Sequence, residues 1–317
     1  MNGDRILITG GTGYIGLHLA RELILRGRNV VLVHRRNLSE QVECVVKGLM
    51  DLAIKQHVHF TVVQASGKTL AEKLPNFGIK VVVHLGGHKQ LAISKDPLAA
   101  AENTSWVSDM LQPLLTARKE IETVVYASSG CVYQGSEVPV AEDGELNPIS
   151  VYCKSKLDGE TNFEQYCANN NVNGVTLRYF NVLGGNLTTQ SEGIEGMVNK
   201  YVDNGIPVPI FTDFIRSKPE GFVRDYIHMD DLVDGTIKAI DFSKQSPGYH
   251  VFNIGTGVGT STRDLLAVYG AKLKIRIPTF LRFVNPTKMP AAQIADISKA
   301  KELLGFNPQP IKEHFKR

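Results

Sequence analysis

Arg5-Ile6-Leu7-Ile8-Thr9-Gly10-Gly11-Thr12-Gly13-Tyr14-Ile15-Gly16 opens the chain with an apolar run, a glycine turn and the first turn of a helix. Ile15, Leu19 and Leu23, with Ala20 between them, continue the pattern at helical spacing. A strand, a glycine turn and a helix are the setting in which a glycine cluster binds a dinucleotide. Gly10 allows the tight turn, Gly13 lets backbone approach a pyrophosphate, and Gly16 lets the helix pack on the strand. The N–H groups at the helix start, around Tyr14 and Ile15, then face the phosphates. The spacing is G-x-x-G-x-x-G, which differs from the G-x-G-x-x-G of the simplest dinucleotide sites. This opening predicts an α/β fold with a doubly wound parallel sheet.

The downstream pattern agrees. Gly27 ends the helix, and Val30–Val33 forms a second strand running into His34-Arg35-Arg36. An acidic residue here would bind a ribose 2′-hydroxyl, whereas arginines suit a 2′-phosphate or a solvated basic turn. Asn37-Leu38-Ser39-Glu40 has the form of a capping box. Val58–Val63 reads as the third strand, and Ile79–His84, apolar on both faces, as the fourth. The fourth ends in Leu85-Gly86-Gly87-His88-Lys89, where Leu85 and the glycines let a cofactor approach and Lys89 either reaches a phosphate or ribose or stays solvated. A long helix from about Pro97 should be kinked or split by Pro113. The fifth strand is Thr123–Ala127, with a helix from Tyr152 to about Asn169 and a sixth strand from Val175 to Tyr179.

Past Asn181, glycine, proline and short apolar pieces alternate, as expected of a smaller substrate-covering domain. Asp225-Tyr226-Ile227-His228 and then Leu232, Thr236 and Ala239 suggest a helix returning to the sheet, and Val251–Ile254 another sheet strand. The expected organisation is a dinucleotide-binding domain over residues 1–180, with returning segments near 222–256. A smaller C-terminal substrate-binding domain, interleaved with it, spans 181–317.

Two features suggest chemistry. Tyr152 and Lys156 lie four apart, so a helix sets them on one face. A phenol is a poor base at neutral pH, and an adjacent ammonium favours its phenolate. Such a pair can take a proton from a sugar hydroxyl while hydride leaves the same carbon. Ser129, at the C-terminal end of the fifth strand, can hydrogen-bond a sugar oxygen or simply cap the loop.

Composition sets the limits. The formal charge of +3 on 317 residues argues for neither nucleic acid nor membrane as partner. No apolar run reaches about 18 residues, the length of a membrane span. The N-terminus enters a strand directly, without the pattern of a signal peptide. Cys44, Cys131, Cys153 and Cys167 form no C-x-x-C, and reduced thiols in the cytoplasm are expected. The histidine pairs His57/His59 and His84/His88 show no ligand pattern, so no metal is expected.

Five blocks, Gly10–Gly16, Leu85–Lys89, Ser128–Tyr133, Pro148–Lys156 and Arg178–Asn181, together resemble the extended short-chain dehydrogenase/reductase superfamily. Val223–His228 and Phe252–Gly257 narrow the resemblance to the UDP-glucose 4-epimerase family and its nucleotide-sugar relatives. The resemblance implies Tyr152 as base, Lys156 as its partner and as a ligand of the nicotinamide ribose, and Ser129 as the active-site serine. It implies cofactor contacts by Lys89, Asn103 and Tyr179, and substrate contacts by Lys89, Asn181 and Arg224. It also implies a homodimer built on the helices near Pro97–Arg118 and Tyr152–Asn169.

The sequence departs from the family in places. His34 replaces the acidic residue, Gln64 stands where an Asp usually approaches the adenine, and Cys131 replaces a threonine. Asn285-Pro286-Thr287-Lys288 stands where the family has a late Arg-x-Gly-Asp block. The cofactor is thus expected to be NAD or NADP, with Arg35 and Arg36 favouring NADP. The expected activity is 4-epimerisation of a UDP-hexose-type nucleotide-sugar substrate. An NADPH-dependent 4-ketoreductase of a 4-keto-6-deoxy sugar and a non-catalytic cofactor sensor are the alternatives.

Overall fold

The computed structural model describes residues 4–74, 78–88, 90–93, 96, 98–133, 139–185, 187, 194–213, 219–284 and 290–315. Its centre is a sheet of seven parallel strands: β1 Arg5–Thr9, β2 Asn29–His34, β3 Phe60–Gln64, β4 Ile79–His84, β5 Thr123–Ser129, β6 Asn173–Tyr179 and β10 Tyr249–Ile254. The order is β10-β6-β5-β4-β1-β2-β3. Parallel strands buried on both faces must be apolar at successive positions. Accordingly, Ile6 and Ile8 point into one core layer and Leu7 into the other. The first layer is closed by the helices Tyr14–Leu25, Glu40–Lys55 and Met229–Ser243, the second by helix Leu98–Trp106, the turns after it, and helix Val151–Asn170.

Strand order reverses at β1, which lies between β2 and β4, with Thr9 level with both Val33 and His84. The connections from β1 and β4 leave towards opposite faces here, so a crevice opens beyond their C-terminal ends.

Pro113 acts as expected. Helix Leu98–Trp106 widens into a π-helical turn at Val107–Leu111 before Gln112–Ala117 resumes with Pro113 in its first turn. Proline offers no N–H to the turn before it, and a wider turn is how a helix absorbs that loss.

Beyond β6 the chain alternates between two regions. β7 Asn181–Leu183, β9 Val223–His228, β11 Gly259–Ser261 and β13 Ala292–Gln293 form a small mixed sheet. β8 Val208–Asp213 pairs with β12 Thr279–Val284. Asp225–His228, expected from the sequence to lead into the returning helix, is instead strand β9 of the small sheet, and the helix begins at Met229. Helix Ser298–Leu304 also returns, placing Ala300, Leu304 and Phe306 in the first core layer. No described helix is long and apolar enough to cross a membrane.

Candidate active site

The glycine turn forms the floor of the crevice. Gly10 has φ +68°, and a Cβ there would lie 2.8 Å from the backbone nitrogen of Gly86. The ends of β1 and β4 therefore meet backbone to backbone. A Cβ at Gly16 would come within 2.7 Å of the Gly10 carbonyl, so this helix turn can seat on the strand end only as glycine. Helix Tyr14–Leu25 starts at Gly13 with no side-chain cap, leaving its N-terminal N–H groups available to an anion. Ile15 packs against the first core layer. The Tyr14 hydroxyl donates to the Gly184 carbonyl, so its side chain ties this helix to the segment after β7.

From this floor a cleft of about 700 Å³ runs past Thr9, His34, Arg35, Arg36, Gly86 and Asn103 to Met110. Arg35 is ion-paired to Glu102, and His88 Nε2 lies 2.6 Å from the same carboxylate. The His34 ring is 2.7 Å from the Arg36 carbonyl. Gln64 does not line the cleft; its exposed amide donates to Asn37 at 3.1 Å, while the next residues, Ala65 and Ser66, do line it. Strand alternation turns Gln64 away from the crevice. Lys89 lies outside the described residues.

Beneath the cleft is a stack that sequence reading missed. His84 accepts or donates at 2.6 Å with the Thr9 hydroxyl and stacks on Trp106, centroids 4.4 Å apart, and Trp106 stacks on Tyr126 at 4.7 Å. Burial, reinforced by Lys156, pulls the His84 imidazolium down to about 3, so the ring is neutral. Asn103, buried, accepts from the His88 N–H at 2.7 Å and donates to the His88 carbonyl at 2.9 Å. It acts as a clamp on the loop after β4. His84 stood in the sequence as an ordinary strand histidine; only its partners from distant segments set it apart.

Helix Val151–Asn170 begins at Ser150, whose hydroxyl accepts from the Cys153 N–H. Capping fixes the first turn, which presents Tyr152 and Lys156. Lys156 Nζ donates to the Ala127 carbonyl at 2.8 Å and lies 5.1 Å from the Tyr126 ring centroid. Burial draws its ammonium down to about 8, opposed by Cys131 and Glu160. Ser129 ends β5 and caps the turn Gly130–Val132 by accepting from the Cys131 N–H at 3.2 Å, with its hydroxyl placed to favour the Tyr152 phenolate. The structure thus brings Ser129, Tyr152 and Lys156 together from two elements. One expectation is reversed. Burial raises the Tyr152 phenol above its usual value, Cys131 and Cys153 add to that, and only the Ser129 hydrogen bond opposes it. Lys156 is committed to Ala127 and does not acidify the phenol by itself.

On the other side of the site, Asn181 donates to the Asp225 carbonyl at 3.1 Å. The partly buried Arg224 guanidinium donates to the Val223 carbonyl at 2.7 Å and faces the Phe222 ring at 5.3 Å. No described carboxylate pairs with it, and burial lowers its affinity for its proton. Tyr179 is turned inward: its ring lies in the first core layer and its hydroxyl is 2.8 Å from Thr236. Farther off, His228, Asp230 and His314 gather ligand atoms within 4.8 Å of one another at the start of helix Met229–Ser243. Both rings already have acid partners, Asp230 for His228 and Asp231 for His314, in keeping with a charged helix cap.

The comparisons with known proteins agree with this layout. The profile of the NAD dependent epimerase/dehydratase family matches residues 6–255. The chain is 30% identical to the UDP-glucose 4-epimerase of Dictyostelium discoideum, over 96% of this chain and 91% of that protein. Its fold is similar to that of the UDP-glucose-4-epimerase from Stenotrophomonas maltophila with bound NAD and formylated UDP-arabinopyranose, with TM-score 0.83, 26% identity, and 96% and 94% of the two chains covered. It is also similar to the UDP-glucuronic acid 4-epimerase from Bacillus cereus in complex with UDP-glucuronic acid and NAD, with TM-score 0.79, 25% identity, and 98% and 99% covered.

Proposed function

This chain belongs to the NAD dependent epimerase/dehydratase family, and from that premise we propose that it is a nucleotide-sugar 4-epimerase acting on a UDP-hexose. The observation that carries this reading is the convergence of Ser129, Tyr152 and Lys156 at the C-terminal ends of β5 and its neighbours, beside a cradle that only glycine can form.

The residues fit a dinucleotide. A side chain at Gly10 or Gly16 would fill the floor, and the free helix start behind Gly13 suits a pyrophosphate. His34, Arg35 and Arg36 would border the adenosine ribose, and Gly86 and Asn103 the middle of the cofactor. Tyr152 and Lys156 would border the nicotinamide ribose. When bound, the oxidised nicotinamide supplies a hydride acceptor and a positive charge beside the phenol.

The chain's own groups do the rest. Tyr152 takes the proton from the sugar O4 and later returns it. Ser129 holds that oxygen and stabilises the carbonyl formed at C4. Lys156 keeps positive charge beneath the site. Arg224 and Asn181 hold the diphosphate, so the ketosugar can turn over and present its other face while still anchored. The region around the small sheet serves as the substrate-binding domain. NAD is the cofactor of the similar structures. Arg36, which is not engaged with Glu102 as Arg35 is, favours NADP and with it the ketoreductase reading. A homodimer through helices Leu98–Trp106 and Val151–Asn170 is part of the proposal, with sedimentation as its check. So is a cytoplasmic location.

The test is conversion of UDP-glucose to UDP-galactose with no net change in nicotinamide absorbance. Tyr152→Phe should lose roughly 100- to 10,000-fold in kcat. Stoichiometric NADPH consumption on a 4-keto-6-deoxy sugar nucleotide, with no epimerisation, would establish the ketoreductase instead.

A further inference from the structure

One face of helix Val151–Asn170 is stitched to the end of β5. Tyr152, Lys156 and Glu160 follow one another at intervals of four, so all three lie along that face. Lys156 Nζ donates to the Ala127 carbonyl at 2.8 Å, and the Ser128 hydroxyl donates to the Glu160 carboxylate. Ser129 is the next residue. The two strand residues before the serine are thus each bound by the helix that carries the phenol.

Glu160 is itself fixed. It is buried, and Arg178 of β6 holds both carboxylate oxygens, with Nε at 3.2 and 3.1 Å and Nη2 at 2.8 Å. Arg178 stands in register with Ser128 across the β5–β6 pair, so the carboxylate bridges two neighbouring strands. A carboxylate offers about four lone-pair sites, enough to accept from Arg178 and Ser128 together. Arg178 alone answers the buried charge. The Ser128 bond adds nothing to that neutralisation, and what it fixes is the strand end leading to Ser129.

We propose that Glu160 is a positioning residue for the sugar chemistry: through Ser128 it sets where Ser129 stands relative to Tyr152 and Lys156. The proposal rests on the reading of Ser129 and Tyr152 as the groups on the sugar oxygen. Glu160 itself touches neither sugar nor cofactor, and its action is geometric. Ser129 has to hold the O4 oxygen while Tyr152 holds its proton, and a misplacement of on the order of 1 Å can cost about 100-fold in rate. Without the Ser128 bond the strand end depends on the long, flexible stem of Lys156, which tolerates such a shift.

Glu160→Ala would leave Arg178 buried without its partner and risk the fold. The test is therefore Ser128→Ala in the full chain, which spares the ion pair. It should lower kcat roughly 10- to 100-fold, while KM for UDP-glucose, governed by the diphosphate contacts, stays within about 3-fold. A Ser129→Ala protein should already be slow. Adding Ser128→Ala to it should change kcat by less than about 2-fold, because a residue that acts only through Ser129 then has nothing to act on. Crystal structures of the parent and Ser128→Ala proteins should show the Ser129 hydroxyl displaced from its place beside Tyr152 by at least about 0.5 Å, with the Glu160–Arg178 pair intact. A parental kcat in Ser128→Ala overturns the proposal. So do equal losses in the two backgrounds, a loss that appears wholly in KM, or a Ser129 that has not moved. A parent protein that epimerises no UDP-hexose would count against the epimerase reading. The displacement of Ser129 is read without turnover, and it decides the positioning role in that case too.

Discussion

Arg178, in β6 of the main sheet, and Arg224, in β9 of the small sheet, sit in opposite electrostatic settings. Arg178 is 4% exposed, and its guanidinium makes a 2.8 Å ion pair with the equally buried Glu160, with a further bond to the Tyr133 hydroxyl at 2.7 Å. Arg224 is partly buried and bonded only to backbone carbonyls among the described residues. A buried charge that is answered from within belongs to the scaffold. One that burial destabilises, with no acid beside it, awaits an anion from outside. Arg35 is a third case: it is exposed and already neutralised by Glu102.

Substitutions should separate these roles. The largest stability effect is expected for Arg178→Met, which leaves the Glu160 carboxylate buried without its partner and should cost about 3–5 kcal/mol in urea unfolding. An unchanged urea midpoint would remove Arg178 from the scaffold. Arg224→Ala should do the reverse. The unfolding midpoint should stay or rise, while KM for the UDP-sugar increases roughly 10- to 100-fold, the worth of hydrogen bonds to a charged group. A protein that unfolds more easily yet binds UDP-sugar as before would invert the comparison.

A third expectation concerns pH. Lys156 is cationic below about 8 in the folded protein, against an ordinary 10.5 when unfolded. Between those values the unfolded chain binds more protons, so this group's contribution to stability increases with pH. Turnover should move the other way, with kcat/KM declining through about pH 8 as the ammonium is lost. A flat profile from 7 to 9.5, as order-of-magnitude limits around that value, would show that the charge is not used.

The smallest effect belongs to Arg35. Exposed ion pairs are worth about 0–1 kcal/mol, so Glu102→Gln should change stability little. By freeing Arg35 it should improve NADP relative to NAD by no more than about 5-fold. Titration of both cofactors checks this. A larger gain would mean that Glu102 actively excludes the 2′-phosphate.

Much of the fold could be read before any coordinates. β1 and β4 end where the apolar runs end, and Pro113 disturbs its helix as its chemistry requires. Period-two burial and missing N–H groups are local properties, visible in a few neighbouring residues. The pairing of β8 with β12, and the small sheet around β9, were not legible. Their partners are distant in the chain, and β7, β11 and β13 span only two or three residues each. In the site, Tyr152 and Lys156 were legible because one helix sets their spacing. Glu102 against Arg35 and the His84–Trp106–Tyr126 stack were not, since each joins segments that share no local pattern.

The sequence by itself determined the parallel sheet, the glycine floor and the one-face spacing of Tyr152 and Lys156. Each follows from the conformational and chemical properties of residues close together in the chain. Only the tertiary structure decided the charge states. Burial raises the Tyr152 phenol and lowers the proton affinity of Lys156, and packing leaves Arg224 without an acid partner among the described residues. Desolvation is set by what packs around a group, and packing is settled only when distant segments close on one another.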